Sequence, residues 1–436
     1  MSQFRPRWHQ VVPRIVAAVA VAAVVGGVTT ACGKDSKPQA ADTPVALRFS
    51  WWGSDTRAGL TTNAIKEFEA VHTNIKVQTD YAAYAPYWQK IATETAGGNP
   101  PDVIQMDYRY LSEYGRRNAL LDLGKQKAAL KLTDIEPALG TTGKVDGKTV
   151  AVPFGQNTVA IAVDTTTLGK LGVDSPKAGM SWSDFAAWAK QVNTKSGGKV
   201  YGVSDMGYAE DVFETWLRQS GKVLFKPDGK FGFTSDDLTK FWTLWQDMVK
   251  SGAATPADIS NAYDGTTAKS ALVQGKSAAE FIFDNTLGGT QAATKNTLQL
   301  VGFPTDGSNS GMYYKPTMLL SAAARSKHPK EAAQLIDFLV NNEAAGKALG
   351  VDRGLPANTK IRTVVIGSLT GPSQVVVAYE DSVKASLSPT PAAPPKGDGE
   401  VKNLFQSVYQ GVTSGKTPIA AAVTSFLQQA TQAIGA

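Results

Sequence analysis

The chain has 436 residues, 42% of them hydrophobic and 9% aromatic with nine Trp, which is too long for one comfortable domain and too apolar for a disordered chain. One Cys and three His exclude a disulfide scaffold, Cys-based metal clusters and a multi-histidine centre. Of the 44 basic residues, only Arg5, Arg7 and Arg14 precede Cys32 and no acid does; the 41 that follow face 38 acids, a near balance with no nucleic-acid footprint.

The N-terminus reads as a secretory signal over 1–31: basic MSQFRPRWHQVVPR, the apolar run from Ile15 to Val25, then small residues. The apolar run is too short to span a bilayer. Val28-Thr29-Thr30-Ala31-Cys32 resembles a bacterial lipobox, with Thr29 where Leu is usual, and places a lipid anchor on Cys32. Polar residues 32–43 then form a tether.

From Val45 onward, strand and helix patterns alternate. Alternation predicts strands over 45–51 and 75–80, and helical spacing predicts helices over 60–71 and 84–96. A short buried strand follows over 102–106 and a helix over 111–117. Asp146-Gly147 marks a hairpin, with strands expected over 149–153 and 159–163. Trp-bearing helices are expected over 182–192 and 238–250, and Ala332, Leu335, Ile336, Leu339 and Ala348 stripe one face of a third over 330–349. Residues 388–400 are rich in Pro and Gly and read as an internal linker before two amphipathic C-terminal helices. The β-α-β rhythm implies an α/β protein with mostly parallel sheets flanked by helices.

Several local patterns occur in one order: Phe49-Ser50-Trp51-Trp52-Gly53, Pro101-Asp102-Val103-Ile104, Val152-Pro153-Phe154-Gly155, Ser181-Trp182-Ser183-Asp184-Phe185, Gln274-Gly275-Lys276, Gly302-Phe303-Pro304 and His328-Pro329-Lys330-Glu331-Ala332. The succession resembles the extracellular solute-binding proteins of ABC importers, in the carbohydrate-binding family related to maltose-binding protein. The resemblance implies a two-lobe periplasmic-binding-protein-like clamshell with extra C-terminal helices. It places the N-terminal lobe at 44–155 plus 284–328 and the C-terminal lobe at 156–283 plus 332–436, with crossings near 153–162, 279–284 and 328–332. It also implies a carbohydrate ligand, membrane permease partners, a monomer anchored outside the membrane, and no cofactor or metal.

Sugars need aromatic faces for their C–H surfaces and planar polar groups for their hydroxyls. Trp52 is expected to be the exposed ring at the tip of the first strand, with Asp55 and Arg57 in the loop after it. Asp107 and Tyr108 follow the strand DVIQM, Asn157 sits at the first crossing and Asp284 follows AAEFIF. Trp216 on a second-lobe helix and Tyr313 before a later strand complete the ligand set. Two alternatives stay open. A secreted glycoside hydrolase would use two converging carboxylates such as Asp55, Asp107 or Asp284. A receptor for a phosphorylated polyol would use Arg57, Arg109 and Lys315 as an anion site.

Overall fold

A computed structural model describes residues 44–263 and 265–435; the predicted signal, Cys32 and the tether lie outside the described residues. The chain begins with β1 (Val45–Trp52), α1 (Asp55–Val71), β2 (Ile75–Ala82), α2 (Tyr84–Ala96), β3 (Val103–Met106) and α3 (Tyr108–Arg116). A hairpin of β4 (Lys144–Val145) and β5 (Lys148–Thr149) leads into β6 (Val152–Asn157). Helix α1 starts five residues before its apolar stripe because the Ser54 side chain accepts the Arg57 N–H and caps it.

After Thr158 come β7 (Val159–Asp164), α4 (Thr165–Leu171), α5 (Trp182–Lys195), α6 (Glu210–Gln219), α7 (Ser235–Ser251) and α8 (Ala257–Ser260). Then β8 (Ala279–Phe283), α9 (Leu287–Ala292) and β9 (Leu298–Val301) close this part. The chain returns through β10 (Lys315–Ala322), α10 (Pro329–Asn341), α11 (Glu343–Leu349), β11 (Leu355–Pro356) and α12 (Thr359–Ile366). It ends in α13 (Pro372–Val383), α14 (Asp398–Thr413) and α15 (Ile419–Ile434).

Two sheets define two lobes. The first has the order β11-β6-β10-β3-β1-β2, in which β10 runs antiparallel between β3 and β6. The second has the order β8-β7-β9, with β7 antiparallel to both neighbours. The expected parallel character therefore holds for β1, β2, β3 and β6. In the second lobe the parallel contacts are single bridges, Tyr201 to Ser277 and Val203 to Ala254. There β7 continues β6 through Thr158, and β8 and β9 both pair with it running the opposite way, β8 ending back at the crossing where the Asp284 N–H donates to the Thr158 carbonyl.

The chain passes from the first sheet to the second at Thr158, between β6 and β7. Residues 284–301 stay with the second sheet, since β9 pairs with β7 over Ile161–Val301 to Asp164–Leu298. The second crossing thus falls between β9 and β10, over 302–314. Residues 332–366 belong to the first lobe rather than the second. The stripe Ala332, Leu335, Ile336 and Leu339 is fully buried against Leu47, Phe49 and Phe68 of the first core. The third crossing is the short link between α12 and α13. The long predicted helix is also interrupted, because Asn342 ends one helix and caps the next with its side chain.

The second core is dominated by rings. Trp182, Phe185, Phe213, Phe241, Trp242, Trp245 and Phe281 are buried there, and Phe405, Tyr409 and Phe426 of α14 and α15 complete it. Gly155, mid-strand in β6, must remain glycine: a Cβ there would meet the Arg353 carbonyl oxygen at 2.0 Å.

Candidate functional site

Strands β1, β3 and β6 run in the same direction, so their carboxyl ends converge on one rim, where open α/β sheets bind ligands. A cleft of about 840 Å³ opens at this rim, between the first lobe and the helices of the second. Asp107 follows β3 and caps α3: one carboxylate oxygen accepts the Arg109 backbone N–H at 2.8 Å, the other accepts the Tyr84 hydroxyl at 2.8 Å. Asn157 ends β6 and donates its amide N–H to Asn285 Oδ1 at 2.9 Å, while its own buried Oδ1 has no partner. Tyr84, Tyr110 and Phe283 add ring faces to the lining.

A charged cluster closes one end. Arg109 of the first lobe donates to the Asp398 carboxylate and to its carbonyl at 3.1 Å, and lies 3.7 Å from Glu210; both acids belong to the second lobe. Lys315 donates to Asp211 at 2.8 Å and stands 4.8 Å over the Phe283 ring, and Lys402 approaches Asp211 at 3.4 Å. Burial alone would raise the Asp211 carboxyl, but Lys315, Lys402 and Arg109 override it and hold it well below the usual carboxylate range. For Asp398 burial wins over Arg109, and its pKa is pushed up to about 6. Burial, with Asp398 adjacent, lifts Glu210 well above its ordinary value. Burial also raises Glu214, although the Tyr313 hydroxyl donates to it at 2.7 Å.

Of the expected ligand residues, the structure brings Asp107 and Asn157 to the cleft. Tyr108 and Tyr313 line a small chamber behind the charged cluster instead. Trp52 is buried rather than exposed, edge-on to Tyr84 at 5.5 Å and packed with Tyr87 and Trp88, because α2 folds its rings over the strand tip. Asp55 is exposed and accepts the Tyr81 hydroxyl. Arg57 is tied down by the Asp352 carboxylate at 2.6 Å and by the Trp52 carbonyl, away from the cleft. Asp284 is fully buried, where one oxygen accepts the Thr158 N–H at the first crossing, a hinge group rather than a ligand group.

Trp216 does not line the cleft. It stacks on Phe213 at 6.3 Å and packs against Phe241. Trp216→Ala is therefore expected to cost about 1–2 kcal/mol of unliganded stability, as a half-buried ring would, and to leave ligand affinity within about twofold. Paired denaturation and titration of that variant distinguish a packing role from a contact role.

Sequence reading missed Asp211, Asn285, Asp398 and Lys402 as lining residues. Asp398 sits 289 residues from Arg109, and no local pattern links them. The one available signal was the carboxylate opening the first turn of α14 directly after the Pro-rich segment.

Two α/β lobes joined by three crossings around a polar and aromatic cleft define a clamshell binding protein. The chain belongs to the bacterial extracellular solute-binding protein family, whose sequence pattern matches residues 63–369. It is 26% identical over 401 residues, 87% of this chain and 85% of the relative, to an uncharacterized lipoprotein of Streptomyces antibioticus. It is 30% identical, at a TM-score of 0.74, to an extracellular solute-binding protein family 1 member from Alicyclobacillus acidocaldarius, covering 91% of this chain and all of that one. A periplasmic oligogalacturonide-binding protein of Yersinia enterocolitica, solved with saturated digalacturonic acid, shares the fold at 23% identity and a TM-score of 0.77, over 89% of this chain and all of that one.

Proposed function

We propose that this solute-binding component of an ABC importer is a lipid-anchored sugar receptor, attached through Cys32 outside the membrane and acting as a monomer. The observation that carries the sugar reading is the pairing, in one cleft, of Tyr84, Tyr110 and Phe283 rings with the planar groups of Asp107, Asn157 and Asn285. A neutral ligand fits better than a phosphorylated polyol, since Arg109 is held by Asp398 while Lys315 and Lys402 share Asp211, so none of the three cations stands free. The lipoprotein relative supports the anchor. Open and closed forms interconvert about the three crossings; a sugar touching both lobes favours the closed form, which a permease recognises.

A thermal-shift screen of mono-, di- and oligosaccharides, run beside phosphorylated polyols, tests this. A ligand at 100 times its Kd adds about 2.7 kcal/mol of stability. The sugar must be recovered intact, because shortening would identify a hydrolase. Asp107→Ala is expected to weaken binding roughly ten- to a hundredfold, as the loss of a charged acceptor costs about 1.5–3 kcal/mol. Stabilisation by polyol phosphates and by no sugar would refute the reading.

A further inference from the structure

Residues 388–397, Ser-Pro-Thr-Pro-Ala-Ala-Pro-Pro-Lys-Gly, start and end in the second lobe yet are held by both lobes. Four prolines remove backbone donors and keep the segment out of any sheet, while its carbonyls stay free to accept. From the first lobe, the Tyr108 hydroxyl donates to the Pro391 carbonyl at 2.5 Å and the Ser112 hydroxyl to the Ala393 carbonyl at 3.3 Å. The Thr390 hydroxyl donates to the Tyr314 carbonyl at 2.6 Å, at the entry to β10. From the second lobe, the Arg218 guanidinium donates to the Pro389 carbonyl. The Ser388 N–H donates to the Met312 carbonyl at 2.7 Å, on the crossing segment before β10.

Beneath this strap lies the small chamber bearing Tyr108 and Tyr313, about 40 Å³ in volume and roofed by Pro391, Ala392 and Pro394. Its volume suits a water or two and no sugar ring. Arg109, Asp211, Lys315 and Asp398 line both the chamber and the main cleft, so two ion pairs form the partition between them.

We propose that the proline strap and the ion-pair partition make the cleft blind at this end, so that the receptor reads one terminus of a short oligosaccharide and admits further units only at the opposite end. The inference rests on the sugar reading above. A ligand running through the cleft would have to displace Arg109 from Asp398 and lift the strap from α3, whereas Tyr84 and Asn285 line the cleft without bordering the chamber.

The test uses malto-, cello- and β-1,4-galacto-oligosaccharides of two to six units. Each is offered free, capped at the reducing end with 2-aminobenzamide, or capped at the non-reducing end as the 4,6-ethylidene derivative. Calorimetric titration of the wild-type protein is expected to show one capped form weakened at least tenfold and the other unchanged. The double variant Ser112→Ala/Thr390→Val, and separately Pro391→Gly/Pro394→Gly, loosen the strap without touching cleft-lining side chains. Each is expected to recover the excluded form at least tenfold while binding the uncapped sugar as before. Melting curves confirm folding, and faster amide exchange at Ala392 and Ala393 confirms the loosened strap. Equal binding of both capped forms by the wild type overturns the blind end. Continued exclusion by a variant whose strap exchanges freely overturns the strap as its wall. If no uncapped sugar binds at all, it is the sugar reading that fails, and the blind-end reading falls with it.

Discussion

Replacing Arg109 by methionine is expected to lower unfolding free energy at neutral pH by about 3–5 kcal/mol, the usual cost of leaving a buried charge without its partner. Arg109 is mostly buried, and the Asp398 and Glu210 side chains are nearly fully so. Without the guanidinium, neither carboxylate has another cation within ion-pairing distance among the described residues. The sign with pH follows from the shifts. Both acids already ionise above their ordinary range, Asp398 at about 6, and removing Arg109 moves them further up. The variant should therefore lose most at pH 7–8 and least near pH 5, below the point at which Asp398 ionises in the folded chain. Adding Asp398→Asn should restore part of the loss, because it removes one orphaned charge. Chemical denaturation at both pH values checks this, and a loss below about 1 kcal/mol at pH 7.5 would reduce the bridge to an ordinary surface pair.

The second large effect belongs to the hinge. Asp284, directly after β8, and Glu380, on α13, are neighbouring buried carboxyls, and Asp284 Oδ1 and Glu380 Oε1 each lack a hydrogen-bond partner among the described residues. Glu380 accepts the Gln156 amide at 2.5 Å, and the other side of that amide accepts from Arg362 at 2.6 Å. Burial, with Glu380 adjacent, lifts Asp284 well above its ordinary value; burial pushes Glu380 up to about 7 despite its hydrogen bond from Gln156. For a carboxyl raised in the fold, stability is fully present below its unfolded pKa and is lost as pH rises through the folded one. Glu380 alone thus withdraws up to about 3 kcal/mol between pH 4.5 and 7. Glu380→Gln keeps the shape and removes the titration, so it should match the wild type at pH 4 and exceed its stability at pH 8. The buried Asp205, raised to about 7 by burial, leaves a residual slope of the same sign. Identical urea midpoints for both proteins from pH 4.5 to 8 would rule the pair out as the source.

The alternation of strands and helices in the first 165 residues was readable because each element carries its own period and stop. What the period omits is the partner. The stripe on α10 announces a buried face, yet nothing in it says which sheet it covers, and so 332–366 went to the wrong lobe. Trp51 and Trp52 alternate as a strand should, but α2 supplies Tyr84, Tyr87 and Trp88 to cover the second ring as well. Asp107 and Asn157 were legible since strand ends at a cleft rim follow from chain direction alone. The ionic partition was not, because Arg109, Asp211, Lys315 and Asp398 come from four distant elements and meet only once both lobes are in place.

The antiparallel position of β10 also dictates the order in which the protein can be assembled. In the first sheet β6 touches β3 only through β10, which begins at Lys315, after the strands of the second sheet have all been made. A growing chain can join β1 to β2 and β3 early, but β6 waits unpaired on that side until its neighbour emerges. Such distant pairing makes for slow folding and a long exposure of unfinished strand edges. The seam between the early and late halves of the first sheet is therefore where a stalled or truncated chain is most exposed to aggregation or to capture by a chaperone.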